Sequence, residues 1–309
     1  VIGSRVAEML LDQGEEVSGL DSLSDDLYPR EHKESRLRQL QAWPAFNPII
    51  SDLVNVDLVQ ILKQCDVVIH EAATPGLTLS WERFATYAHS NLIATHHLLA
   101  ALAEYPNVHL VHASTSSVYG LNATMPFSVH HNVDHPVSLY AATKKANELM
   151  AHSYSHLYGM PVTGLRFFTV YGPGGRPDMA PYLFTKAILT GGEITKFGDG
   201  SSKRDYTYID DIVAGVLGAI DHPQPFETYN LGNNTPVTLN HFLELLQDII
   251  GKEANITQYP EQPGDVDMTY ADIAKAQRDL GYEPRTPFRE GLEQFVAWFR
   301  EHRLAEEQA

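Results

Sequence analysis

Tyr140 and Lys144 stand four residues apart in Tyr140-Ala-Ala-Thr-Lys144, and Thr115 precedes them in the stretch His112-Ala-Ser-Thr-Ser-Ser-Val-Tyr-Gly120. Residues four apart on a helix share a face. The lysine ammonium then holds down the phenol's pKa by proximity, and a phenolate acts as a base near neutral pH. A threonine hydroxyl that bridges this base and a substrate alcohol completes a set suited to hydride chemistry. The spacing alone also describes ordinary helix-surface design, so the surrounding chain has to decide.

The elements that would position these residues alternate. Residues 2–14 read as a helix closed by glycine, and residues 16–21 as a short buried strand ending in an acid. An apolar strand over 65–70, a helix from about Ser90 to Glu104, a strand over 109–113, a long helix over 139–158 and a strand over 162–168 follow. This rhythm predicts an α/β fold, a doubly wound parallel sheet of Rossmann type. After Tyr171 the chain turns rich in Gly and Pro, and its later segments predict a smaller, mixed C-terminal lobe over the carboxyl edge of the sheet. The expected division is a dinucleotide-binding domain of residues 1–168, to which 205–235 return, and a second lobe of 169–204 and 236–309. Asp210 and Asp211 are expected to cap a helix running to Ala219. Trp43, Trp81 and Trp298 are read as packing residues.

Composition narrows the function classes. A net charge of −17 without clustered Lys and Arg disfavours nucleic acid as a partner. No run of about 18 apolar residues is present to span a membrane. The lone Cys65 excludes an internal disulfide framework and fits a reducing, cytoplasmic setting. Of the 15 histidines, His96-His97 and His130-His131 are adjacent rather than at the i, i+4 spacing of a zinc helix, so no metal is expected.

In a dinucleotide-binding fold a glycine-rich turn joins the first strand to the first helix and lets backbone N–H groups reach a pyrophosphate. Gly3, with Ile2 beside it, reads as the tail of such a turn. Asp21, 18 residues beyond Gly3, stands where an acid would bind the adenosine ribose and favour NAD over NADP. A buried strand and the first two glycines are therefore expected upstream of Val1.

Together these residues resemble the extended short-chain dehydrogenase/reductase family of NAD-dependent nucleotide-sugar epimerases and dehydratases, over nearly the whole chain. The landmarks are Ile2-Gly-Ser, Asp21, Ser51-Asp52-Leu53, His70-Glu-Ala-Ala73, Asn91, Ser114 to Gly120, Tyr140 to Lys144, Arg166-Phe-Phe-Thr-Val-Tyr-Gly-Pro173, Gly198-Asp-Gly with Arg204-Asp-Tyr, and Gly264-Asp-Val. The resemblance implies that Thr115, Tyr140 and Lys144 are catalytic. It implies that Gly3, Ile2, Asp21, Asp52, Leu53, Ala72, Ala73 and Asn91 serve NAD. It places Arg204 and Asp265 on the diphosphate and ribose of a UDP-sugar, and it implies pairing of two subunits into a homodimer. Glu71 replaces an apolar residue usual in the family, with no explanation from the sequence.

Within the family, relatives that eliminate water resemble Asp-Glu-Val-Tyr-Gly after the catalytic hydroxyl, whereas this chain has Ser116-Ser117-Val-Tyr-Gly. Two serine hydroxyls supply no acid and base for dehydration, and epimerisation at carbon 4 needs none. The stretch from Arg166 to Ala180 resembles the UDP-glucuronate 4-epimerases. In it Arg176 would pair with a sugar carboxylate and Thr169 would donate to it. The alternative is that Arg176 pins a Gly/Pro loop to a neighbouring acid. A UDP-glucose or UDP-xylose 4-epimerase, and a catalytically silent cofactor-binding protein, stay open beside the glucuronate reading.

Overall fold

Four apolar segments pair side by side, all parallel, in the order Phe226–Leu231, Val162–Phe167, His109–Thr115, Val67–His70, in a computed structural model that describes residues 1–122, 124–261 and 267–308. The two central strands are buried at every position, as a parallel sheet covered by helices on both faces requires. A second parallel pair joins Val17–Asp21 to Phe46–Ile50. Val17–Asp21, expected to be buried, is only half-buried with two exposed positions. The strand Phe46–Ile50 has no counterpart among the sequence expectations. Its Pro48 argues against a ladder, yet the strand pairs on one side only, where a missing N–H is tolerated. Gly19 faces it, and a Cβ there would lie 2.7 Å from the Phe46 ring.

The long helix Leu139–Tyr158 has the predicted bounds because its ends carry strong signals. Ser138 Oγ accepts from the Ala141 N–H at 3.1 Å, and Gly159 closes the helix in the left-handed region at φ 72°. The helix expected from Ser90 to Glu104 is broken up: α-helix Phe84–Tyr87 runs into a π-helical turn Ala88–Ile93 and then α-helix Ala94–Leu102.

Beyond the sheet, Thr169–Tyr171 pairs with Tyr206–Tyr208, Glu193–Phe197 with Asn255–Tyr259, and Lys203–Arg204 lies between Val237–Thr238 and Met268–Thr269. The pair Lys203–Arg204/Val237–Thr238 is antiparallel, so this part is mixed as expected. Helices Ala180–Thr190, Leu239–Ile250 and Phe288–His302 cover it through an aromatic core of Tyr171, Tyr206, Phe242 and Phe288.

Two expectations are corrected. Helix Ile209–Asp221 starts beside Tyr208 without a side-chain cap. Asp210 instead takes the Arg5 guanidinium at 2.7 and 3.1 Å, and Asp211 accepts from the Arg285 and Thr286 N–H groups. Both acids still complement the positive end of the helix dipole. Trp81 is 62% exposed rather than packed, whereas Trp298 packs on Phe295 and under Arg303.

Candidate active site

One cavity of about 1550 Å³ runs along the strands Val17–Asp21 and Val67–His70 and reaches the carboxyl ends of the parallel strands, and Gly3, Asp21, Asp52, Ala73, Thr115, Tyr140, Lys144, Thr169, Arg176 and Arg204 all line it. Ile2, Leu53, Ala72, Ser116 and Ser117 border it too. Residues expected to act together from eight separate stretches of sequence therefore border one cavity. Asp265, with Gly264, lies outside the described residues.

Thr115 ends its strand and caps the 3-10 turn Ser116–Tyr119, its hydroxyl accepting from the Ser117 N–H at 3.1 Å and donating to Ser117 Oγ at 3.2 Å. Tyr140 and Lys144 lie one turn apart at the start of the long helix. The Tyr140 ring meets Tyr87 edge-on, and the Tyr87 hydroxyl is held by the Pro75 and Gly76 carbonyls. Burial pushes the Tyr140 phenol above its ordinary value, while the Thr115 hydroxyl and the Arg176 charge pull it back. Lys144 is 3% exposed, and burial pushes its ammonium down to about 8 against the attraction of Glu71 and Glu148. Arg176 thus adds a positive charge that acts on Tyr140, beside the Lys144 expected from the sequence.

Below the site lies a buried network that sequence reasoning missed. Glu148, one turn beyond Lys144, takes Arg166 Nε and Nη2 at 2.8 and 2.9 Å and Ser114 Oγ at 2.6 Å. Arg166 Nη1 donates to the Tyr119 hydroxyl at 3.0 Å, and Tyr119 donates to Asn230 at 2.6 Å. Burial alone would raise the Glu148 carboxyl, but Arg166 and Ser114 hold it at about 2. One signal was available: an arginine inside the apolar strand Val162–Phe167 needs a buried acid. The network joins the catalytic helix to the strand that ends in Thr115.

The residues assigned to NAD divide. Asp21 closes its strand and is exposed, with Oδ1 accepting from the Leu23 N–H at 2.8 Å. Asp52 is occupied by its own turn, accepting from Val54 N–H at 3.1 Å and meeting His89 Nε2 at 3.0 Å. Asn91 is fully buried; its amide donates to the Thr74 carbonyl and Thr143 Oγ1, and its oxygen accepts from Thr74 N–H. It fastens the loop after Ala73 to the catalytic helix and sits in the π-helical turn, a feature often found at functional sites.

On the other wall, Thr169 opens its strand with its N–H bonded to the Asp205 carbonyl at 3.1 Å. Arg204 donates from Nη1 to the Lys203 carbonyl at 3.0 Å. Asp205 is wholly buried and accepts from the N–H groups of Asn233, Asn234 and Ala271, so it fixes the base of the segment carrying Arg204. Arg176 meets Asp178 through Nε at 3.0 Å and Nη2 at 2.5 Å. Arg36, which the sequence did not single out, donates to the Gly174 carbonyl at 2.5 Å and supports the same loop.

Known proteins are similar to this chain in sequence and fold. The family model "NAD dependent epimerase/dehydratase family" matches residues 1–232. A UDP-glucuronate 4-epimerase of Arabidopsis thaliana is 41% identical, over 96% of this chain and 73% of the relative. The crystal structure of UDP-glucuronic acid 4-epimerase from Bacillus cereus, in complex with UDP-glucuronic acid and NAD, superposes with a TM-score of 0.92 at 34% identity over 97% of this chain and 96% of the other. The UDP-glucose 4-epimerase of Thermotoga maritima, with UDP-glucose, gives 0.88 at 29% identity over 97% and 96%.

Proposed function

The chain belongs to the NAD-dependent epimerase/dehydratase family, and from that premise we propose that it inverts carbon 4 of UDP-glucuronate to give UDP-galacturonate. The observation that carries this is the convergence of Thr115, Tyr140 and Lys144 with Thr169 and Arg176 on one cavity, with the Arg176 charge reaching the Tyr140 phenol.

NAD, when bound, would supply the hydride acceptor and donor for carbon 4. Tyr140 takes the proton of the 4-hydroxyl and later restores it, and Thr115 holds that hydroxyl against the phenol. Lys144, kept close to its titration range by burial, binds the cofactor's ribose side as a charged donor. Ile2, Gly3, Asp21 and the loop from Ala72 hold NAD, with Asn91 acting through that loop. Ser116 and Ser117 face the sugar, Arg204 takes the diphosphate, and Asp265 is assigned the uridine ribose.

A 4-keto glucuronate is a β-keto acid and loses carbon dioxide when its carboxylate bond stands perpendicular to the carbonyl plane. Thr169 and Arg176 hold the carboxylate near that plane and protect the intermediate.

On this reading residues 1–168, with 205–235 returning, hold the cofactor, and 169–204 with 236–309 hold the sugar nucleotide. Two copies pair through the long helix, whose Leu149 and Leu157 are 57% and 71% exposed. The protein works in the cytoplasm, a setting supported by Cys65 standing alone. Among the described residues no helix is long and apolar enough to cross a membrane.

A second reading rests on the Arg176–Asp178 pair, which cancels the charge a carboxylate would need and suits a neutral sugar such as UDP-glucose or UDP-xylose. Incubation with NAD and each UDP-sugar, followed by separation of the products, tests both. Turnover of UDP-glucuronate is expected; turnover of the neutral sugars alone would replace the first reading with the second.

A further inference from the structure

Tyr87 ends the short helix Phe84–Tyr87 and is 1% exposed, and two parts of the site meet on it. Its hydroxyl donates to the Pro75 carbonyl at 2.8 Å and shares the same proton with the Gly76 carbonyl at 3.0 Å. Its ring stands edge-on to Tyr140, with centroids 6.3 Å apart and planes at 73°. Pro75, Gly76 and Leu77 border the cavity, as Tyr140 does, and Tyr87 packs behind them.

Each end of the side chain answers a separate need. An edge-to-face ring pair is a favourable arrangement with a defined geometry, so the ring limits how Tyr140 can turn. At the other end the hydroxyl satisfies two carbonyls of a loop that has little room for another arrangement. Gly76 has φ 112°, in the region that favours glycine, and a Cβ on it would lie 3.1 Å from the Tyr87 hydroxyl oxygen. Holding both carbonyls on the phenol also sets the two peptide planes, so the N–H groups of Gly76 and Leu77 point away from it. Asn91, four residues beyond Tyr87, works alongside: it holds Thr74, the residue before Pro75, and reaches Thr143 on the long helix. The loop after Ala73 is thus tied twice to the helix that carries Tyr140.

We propose that Tyr87 is a positioning residue for Tyr140: its ring sets the direction of the base and its hydroxyl ties that direction to the loop Pro75–Leu77, so the base and this wall of the cavity hold one geometry. The inference rests on the reading of Tyr140 as the base. A base acts only with its oxygen held at the substrate hydroxyl, and a displacement of about 1 Å costs on the order of a hundredfold in rate.

Two variants separate the ends of the side chain. Tyr87→Phe removes the hydroxyl and keeps the ring, and Tyr87→Leu removes both. The measurements are kcat and KM on UDP-glucuronate with NAD bound, the unfolding midpoint, and hydrogen exchange of residues 74–79 read by mass spectrometry. Tyr87→Phe is expected to speed exchange in that loop and to raise KM several-fold, while kcat falls by no more than about threefold. Tyr87→Leu is expected to show the same loop effect and to lose about tenfold to a hundredfold in kcat besides. A merely structural role would lower the unfolding midpoint in both variants and leave the kcat of the folded enzyme alike in the two. Equal kcat in Tyr87→Phe and Tyr87→Leu would therefore overturn the proposal, as would wild-type exchange and KM in Tyr87→Phe. If Tyr87→Leu does not fold, Tyr87→Phe decides alone: faster exchange in the loop with a raised KM supports the proposal, and wild-type values of both refute it. Activity retained in Tyr140→Phe would refute the reading of the base itself, and the proposal with it.

Discussion

The Arg176 guanidinium is clamped by Asp178 two residues along, Nε to Oδ1 at 3.0 Å and Nη2 to Oδ2 at 2.5 Å. The group proposed to hold the sugar carboxylate thus already has a carboxylate, and substrate has to displace it. Arg176→Ala is expected to lose about 1–3 kcal/mol in kcat/KM on UDP-glucuronate and far less on UDP-glucose. The freed intermediate should decarboxylate and leave the cofactor reduced, seen as a rise in NADH absorbance. Asp178→Asn removes the competing charge and should lower KM for UDP-glucuronate several-fold. Equal losses on both sugars with no NADH signal would make Arg176 a loop anchor.

Glu148 and Arg166 form the buried pair under the catalytic helix. Removing one partner leaves an uncompensated charge, so Arg166→Met should lose about 3–5 kcal/mol of unfolding free energy. The pH dependence has a definite sign. The Glu148 carboxyl lies below its ordinary 4.5, at about 2, so its stabilisation is complete above pH 4.5 and is lost as pH falls towards 2. Buried His112, lowered to about 4 from 6.5, weakens the fold earlier, as pH falls from 6.5 to 4. Urea midpoints from pH 6.5 down to about 2 check both, and a midpoint flat from pH 6.5 to 4 would remove His112 from the account.

Asp21 binds its own turn through Oδ1, accepting from Leu23 N–H at 2.8 Å. Asp21→Ala is expected to weaken NAD about tenfold and to relax discrimination against NADP, the scale of one charge-assisted hydrogen bond. Binding titrations with both cofactors read this out, and unchanged affinity for both would move the ribose contact elsewhere.

Local signals made part of this legible in advance. Ser138 and Gly159 fix the ends of the long helix through bonds within one turn, and Tyr140 and Lys144 follow from helical spacing. Long-range pairings were not readable. Nothing near Arg166 names Glu148, 18 residues away across the fold. An acid in a first helical turn looks the same whether it caps its own helix or, like Asp210, reaches Arg5, 205 residues distant in sequence. Pro48 hid the strand Phe46–Ile50 because the sequence does not say that the strand is paired on only one side.

The last prediction concerns what activates Tyr140. Tyr140→Phe deletes the proton acceptor alone and should leave less than about a tenth of the activity with the fold intact. Burial raises the phenol, and the groups that oppose burial are Thr115 first and Arg176 second. Losing a group that favours the phenolate raises the phenol's pKa, so the pH at which the base becomes active moves upward. Thr115→Val is therefore expected to shift the acidic limb of the kcat profile upward. Lys144 draws instead on Glu71 and Glu148. Lys144→Met should accordingly reduce NAD affinity and rate while moving that limb less than Thr115→Val does. A larger shift from Lys144→Met than from Thr115→Val would return the activating role to the lysine, with Thr115 left to orient the substrate hydroxyl.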